Sequence, residues 1–75
     1  MTERNELDKA RLWRMATRRG FAALFWEELA SRRKTDPAVT RRAVFEDLNS
    51  LFESEFGEPR FSSYDTFRHS PEFRA

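Results

Sequence analysis

The sequence predicts an all-α fold, a small domain of three or four helices. Two stretches, residues 21–33 and 39–56, place apolar side chains at the three- and four-residue spacing of an amphipathic helix. Residues typical of helix ends follow each stretch, Thr35-Asp36-Pro37 after the first and Gly57-Glu58-Pro59 after the second. Eight phenylalanines, two tryptophans and one tyrosine give a 75-residue chain bulky side chains for a core. We therefore expect residues 1–75 to form one helical domain.

The first helical region runs from Asn5, a predicted N-cap, to Arg33, and it contains Gly20. Gly20 either ends a first helix as its C′ residue or lies within one long helix, where it costs about 1 kcal/mol relative to alanine. The sequence leaves both alternatives open and slightly favours a break or bend. From Phe21 onward the apolar spacing is regular, so this part of the region is predicted to pack against the core.

The second long helix is predicted to begin with Asp36 as N-cap and Pro37 in its first turn, with Thr40 as an alternative start. Gly57 is predicted to end it in the left-handed C′ conformation, and Pro59 prevents its continuation. A short helix is then expected, with Ser62 as N-cap and Asp65 three residues later, and with its end at Ser70 before Pro71. The predicted core is Phe21, Leu24, Phe25, Leu29, Val44, Leu48, Leu51, Phe52, Phe56, Phe61, Tyr64 and Phe67.

Charge is distributed unevenly along the chain. Residues 1–45 contain eleven Lys/Arg and six Asp/Glu, a net charge of +5, whereas residues 46–75 contain three Arg and seven Asp/Glu, a net charge of −4. Arg4, Arg11 and Arg18 recur every seven residues, with Arg14 between them, and form one basic stripe. The stripe is either a solvent-exposed helix face or a ridge that contacts phosphates or acidic groups.

Composition also restricts the compartment and the chemistry. The chain has no cysteine, and its longest apolar run is six residues, so we expect a cytoplasmic protein that does not enter a membrane. His69 is the only histidine, and Gly20 and Gly57 are the only glycines, which leaves no metal-binding histidine pair and no glycine-rich phosphate loop. We therefore predict no enzyme activity and no cofactor.

The second long helix and the short helix together have the outline of a helix-turn-helix. The Phe56-Gly57 pair and the sequence Arg60-Phe61-Ser62-Ser63-Tyr64-Asp65-Thr66-Phe67-Arg68 resemble small phage- or prophage-encoded proteins that are helix-turn-helix-like and mostly lack assigned functions. The resemblance covers residues 41–69, about half of the chain. It implies a helix-turn-helix-like C-terminal half.

The leading functional hypothesis is a small DNA-binding or regulatory domain. The short helix would present polar side chains to a major groove, and nearby arginines would contact the backbone of duplex DNA. The candidate residues are Ser63, Thr66, Arg68 and His69 for the groove, and Arg60, Arg41 and Arg42 for phosphates. Some of them also have a simpler explanation, in which Ser62 to Asp65 only cap the helix and Arg60 and Arg68 are ordinary solvent-exposed charges.

The alternative hypothesis is a protein-binding module of phage type that inhibits a host protein, such as a defence or polymerase factor. Opposite potentials steer protein association, so an acidic surface would fit a basic site on the host protein. The candidate contact residues are Glu46, Asp47, Glu53 and Glu55. The same residues also suit a solvent-exposed helix face, and the oligomeric state is left open by the sequence.

Overall fold

The computed structural model describes residues 6–74, and it confirms the all-α fold. Five helices follow one another along the described residues, and no strand occurs among them: α1 (Glu6–Arg14), α2 (Arg18–Arg33), α3 (Arg41–Phe56), α4 (Tyr64–Arg68) and α5 (Pro71–Arg74). The long helices α2 and α3 pack against each other. Helix α1 packs on α2, α4 packs on α3, and α5 contacts both α2 and α4. The predicted N-cap Asn5 lies outside the described residues.

The first helical region is broken into two helices, but Gly20 is not the residue that ends the first one. Helix α1 ends at Arg14, and Thr17 caps α2 by accepting a 2.9 Å hydrogen bond from the backbone N–H of Gly20. Gly20 therefore lies in the first turn of α2. A Cβ atom at this position would stand 1.8 Å from the carbonyl oxygen of Arg14. The glycine is needed because the end of α1 approaches α2 closely here.

The first choices for two N-caps are wrong, by four residues at α3, where the alternative start Thr40 is confirmed, and by one residue at α4. Thr40, not Asp36, caps α3, and its hydroxyl accepts a 3.1 Å bond from the backbone N–H of Ala43. Asp36 instead closes a turn before the helix, since its carboxylate accepts from the N–H of Ala38. Ser63, not Ser62, caps α4 by accepting from the N–H of Thr66 at 3.1 Å. The hydroxyl of Ser62 instead lies 3.1 Å from the hydroxyl of Thr66 in α4.

The predicted end of α3 is confirmed, and the predicted end of the short helix is not. Gly57 has a φ of +88°, and its N–H donates to the carbonyl oxygen of Glu53 at 2.9 Å. The short helix α4 ends at Arg68 rather than Ser70. Pro71 begins a further four-residue helix, α5, because proline suits the first helical position, where no N–H is required.

The core is an aromatic cluster centred on Phe67, whose side chain is completely buried. Its ring lies 4.9–5.4 Å from five other rings, which belong to α2, α3, α5 and the segment before α4: Phe21, Phe25, Phe45, Phe61 and Phe73. The Nε1–H of Trp26 also donates to the carbonyl oxygen of Phe73 at 3.2 Å. These contacts fix the short helices α4 and α5 to the two long ones.

Most of the predicted core residues are buried, with three differences. Met15, Ala22 and Phe45 are buried, although none of them was among the predicted core residues. Phe56 was predicted to be buried, and this is wrong, because half of its side-chain surface is exposed. Leu51 and Tyr64 are only partly buried and pack against the edge of the core.

The segment between α3 and α4 is held by one amide side chain. The Oδ1 atom of Asn49 accepts from the backbone N–H groups of Arg60 and Phe61, at 2.9 and 3.2 Å. Its Nδ2 donates to the carbonyl oxygen of Phe61 at 2.9 Å. Asn49 therefore positions the Phe61 ring in the core and fixes the path of the chain before α4.

Candidate functional site

The residues predicted to contact a DNA major groove lie within α4 or at its two ends. Ser63 is engaged as the helix cap, and Thr66, Arg68 and His69 are exposed. The guanidinium of Arg68 donates to Asp65 at 2.8 Å, and this hydrogen bond is the main cause that lowers the pKa of the Asp65 carboxyl. The His69 ring nitrogen Nδ1 lies 2.8 Å from the Asp65 carbonyl oxygen and 3.7 Å from its carboxylate. The Asp65 carboxylate thus lies beside the Arg68 guanidinium and the His69 ring.

The three arginines predicted to contact phosphates are not brought to one surface. Arg42 lies over the ring of Tyr64 at 5.2 Å, beside α4. Arg41 lies over Trp26 of α2 at 5.5 Å. Arg60 donates to the carbonyl oxygen of Ala16 at 3.0 Å, in the turn between α1 and α2, and its guanidinium lies 5.0 Å from the Phe52 ring. Each guanidinium covers the face of a partly or fully buried aromatic ring.

Two arginines of the basic stripe, Arg11 and Arg14, are paired with acidic residues of α2, whereas Arg18 begins α2 and lies 5.5 Å from the Phe61 ring. Arg11 lies 3.1 Å from the Glu28 carboxylate, and Arg14 makes a two-pronged contact with Glu27, one bond of which is 2.7 Å long. The Arg14 hydrogen bond lowers the pKa of Glu27, and the same contact raises the pKa of Arg14. Arg11 and Arg14 therefore hold α1 on α2. Arg4 lies outside the described residues.

The acidic residues proposed for partner binding do not form one continuous face. Glu46 and Glu53 line the same polar groove, of about 350 Å³, between α3 and residues 62–64. Arg42 also lines this groove and lies 3.9 Å from Glu46. Asp47 accepts a 2.6 Å bond from Arg32 of α2. Glu55 is exposed, but two residues along a helix correspond to about 200°, so it projects away from Glu53.

A second groove is apolar, and it lies between α1 and the C-terminal end of α3. It has a volume of about 220 Å³ and is lined by Lys9, Leu12, Trp13, Ala16 and Phe56. Trp13 is 81% exposed and Phe56 is 50% exposed, and they are the two large apolar side chains left exposed in the described part of the chain. The Phe56 ring stacks on Phe52, 4.4 Å away, which fixes one wall of the groove.

Sequence reasoning missed this apolar groove, although one signal for it was present. Trp13 was counted with the aromatic residues of the core, and Phe56 was assigned to the core stripe of α3. Met15 and Trp13 are two residues apart, so on a helix they project from nearly opposite sides. Because only one side of α1 can face the core, one of these two residues had to be exposed.

Comparisons with known proteins do not identify a family for this chain. No protein-family model, no curated protein and no solved structure matches the chain. None of the helices formed by residues 6–74 is long and apolar enough to cross a membrane. Within those residues, no group of three or more histidine and acidic side chains is arranged to bind a metal ion.

Proposed function

We propose that this chain is a protein-binding module whose contact surface is the apolar groove of Trp13 and Phe56. The observation that carries the proposal is the exposure of both aromatic side chains on the wall of one groove. Exposed apolar side chains that lie together around a concave surface often mark protein interaction sites, whereas singly exposed ones do not. Tryptophan is also among the residues that contribute most to binding energy at protein interfaces.

The size of the groove indicates what the bound protein presents. A closed apolar cavity of about 150 Å³ holds a benzene molecule, and this groove has about 220 Å³. One aromatic or branched aliphatic side chain of the partner would fill it. Protein binding was the alternative function predicted from the sequence. Here the main contact is made by the aromatic residues and not by the acidic ones.

Glu46 and Glu53 are given only a secondary role, because they line a separate polar groove and not the apolar one. Interfaces combine a desolvated apolar centre with a polar, solvent-accessible rim. Charged residues of a rim change the rate of association more than the final affinity. We therefore expect substitution of Glu53 to have a smaller effect on binding than substitution of Trp13.

The test compares the proteins retained from a lysate of the source cells by the immobilised wild-type chain and by Trp13→Ala. The expected result is a partner that is lost with Trp13→Ala and retained with the control Lys34→Ala, an exposed residue at the far end of α2. Both variants should melt as the wild type does, since exposed substitutions usually change stability by less than about 0.5 kcal/mol. Identical sets of retained proteins would refute the role of the groove.

Duplex binding by the helix-turn-helix-like half is the second candidate. The observation that favours it is that α4 buries Phe67 while Thr66, Arg68 and His69 are exposed together. Binding to mixed-sequence duplex DNA should then fall steeply with salt, and Arg68→Ala should reduce the salt slope by about 1. An absence of binding at low salt would set this candidate aside.

A further inference from the structure

We infer that a third groove, between α2 and α5, binds a free α-amino acid with an aliphatic side chain. Its volume is about 260 Å³. It shares no lining residue with the Trp13–Phe56 groove, so the inference does not depend on the proposed function. Its lining residues are Arg19, Ala22, Ala23, Trp26 and Glu72.

Two side chains of opposite charge line this groove without forming an ion pair. Arg19 comes from the first turn of α2, and Glu72 comes from α5. The ion pairs formed within residues 6–74 include neither of these two residues. An α-amino acid at neutral pH carries one ammonium and one carboxylate group. Its ammonium would donate to Glu72, and its carboxylate would accept from the Arg19 guanidinium.

The carboxylate of Glu72 also has an oxygen without a partner. Its Oε1 atom is buried, and no hydrogen-bond donor of residues 6–74 reaches it. Burying a charged oxygen without a partner costs folding free energy, and an orphaned oxygen of this kind is one sign of a bound ion. An ammonium group bound at this carboxylate would balance a charge that no described side chain balances.

The residue after Glu72 fixes this carboxylate in place. The carbonyl oxygen of Phe73 accepts from the Nε1–H of Trp26 at 3.2 Å, and the Phe73 ring lies 5.1 Å from the rings of Trp26 and Phe67. Glu72 is therefore positioned beside α2 before a ligand arrives, which lowers the ordering cost of binding. The bond to Phe73 also uses the only polar atom of the Trp26 side chain, so Trp26 offers the groove apolar ring surface.

The apolar lining and the volume indicate which amino acids fit. Ala22, Ala23 and Trp26 offer methyl groups and an aromatic ring to the side chain of the ligand. A cavity of about 150 Å³ holds one benzene molecule, so this groove has room for about ten non-hydrogen atoms. L-leucine is of this size, whereas a dipeptide that contains leucine is larger.

The test is a titration of the isotope-labelled full chain with L-leucine, followed by NMR. The indole N–H signal of Trp26 should shift with a dissociation constant of about 1 mM, because the charged contacts are partly exposed. The indole signal of Trp13 lies in the other groove and should not move, so it serves as an internal control. An unchanged Trp26 signal up to about 20 mM L-leucine, twenty times the expected constant, would overturn the inference.

Three related compounds test the separate contacts of the ligand. N-acetyl-leucine lacks the ammonium group, leucinamide lacks the carboxylate, and glycine lacks the aliphatic side chain. Each should bind at least about tenfold more weakly than L-leucine, because each loses one charged hydrogen-bonded pair or the apolar contact. If leucinamide or N-acetyl-leucine bound as well as L-leucine, the recognition of both charges would be wrong.

Two pairs of variants test the protein side of the same contacts. Glu72→Gln and Arg19→Gln should each weaken binding of L-leucine at least about tenfold. Their controls, Glu58→Gln and Arg33→Gln, make the same changes at exposed residues outside the groove and should leave binding unchanged. Circular dichroism confirms that the four variants fold. Binding that is unaltered in Glu72→Gln would contradict the assignment of this groove.

Discussion

Replacing Gly20 with alanine tests how the first two helices are joined. In an exposed helix this change stabilises, since alanine is favoured over glycine by about 1 kcal/mol. At Gly20 the added Cβ would stand 1.8 Å from the carbonyl oxygen of Arg14 and 3.0 Å from the hydroxyl of Thr17. The nearest atom belongs to the backbone, so the contact is relieved only if the end of α1 moves away from α2.

The expected cost follows from these two opposing effects. Overpacking by one methyl group typically costs about 1–3 kcal/mol of folding stability. We expect the cost for Gly20→Ala at the upper end of this range, because the contacted atom belongs to the backbone and cannot rotate away. Subtracting the gain in helix propensity leaves a net loss of about 1–2 kcal/mol. For a domain of this size, each 1 kcal/mol lowers the melting temperature by about 4–8 °C.

The assay is thermal unfolding followed by far-ultraviolet circular dichroism, with two control variants. Ala30→Gly, at an exposed position of α2, measures the helix-propensity effect alone. Gly57→Ala should be destabilised by a different cause, because Gly57 has a φ of +88° and no atom within 4 Å of an added Cβ. A melting temperature for Gly20→Ala equal to or above that of the wild type would refute the close approach of α1 to α2.

Substitutions at three further residues test the core, the connection between α3 and α4, and an ion pair. Phe67→Ala should cost about 3–5 kcal/mol and abolish the near-ultraviolet circular dichroism signal, and a folded variant would contradict the central place of this ring. Asn49→Ala should cost about 1–3 kcal/mol in urea unfolding, because three backbone groups lose their partner, and Asn49→Asp should lose less because it keeps the acceptor. Arg68→Ala should raise the pKa of the Asp65 carboxyl towards its usual value, as followed by NMR titration. Because the folded-state pKa of Asp65 is depressed, its contribution is present above the unfolded pKa of about 3.9 and is lost as pH falls through the folded value; an unchanged pKa in Arg68→Ala would rule out this pairing.

The parts of the fold that the sequence predicted depend on chemistry local to a few residues. Gly57 ends α3, as predicted, because glycine readily adopts the left-handed conformation at a helix end and the proline that follows cannot continue the helix. The apolar spacing of α2 and α3 likewise identified most of the core. The starts of α3 and α4 were less predictable, because Asp36 and Thr40 are both good caps and only the packing of the whole helix selects between them.

The parts that could not be predicted depend on contacts between residues distant in sequence. The apolar stripe of α3 continues to Phe56, but the neighbouring helices leave half of this last aromatic ring uncovered. Arg60 appeared to be a candidate phosphate contact, yet it bonds to Ala16, 44 residues earlier in the chain. A guanidinium is flat and weakly hydrated, so it covers an aromatic ring as readily as it meets a phosphate. Spacing along the chain does not distinguish these two uses.

The central position of Phe67 has a consequence for the order of events during synthesis. Helix α4 has five residues and α5 has four, far below the length at which a helix is stable by itself. Rings from this late part of the chain nevertheless fill the centre of the core. A nascent chain that has emerged only as far as Gly57 would thus expose Phe21, Phe25 and Phe45 without the rings that cover them. Folding of this protein is therefore expected to await the last residues of this segment, and until then the incomplete chain offers apolar surface to chaperones.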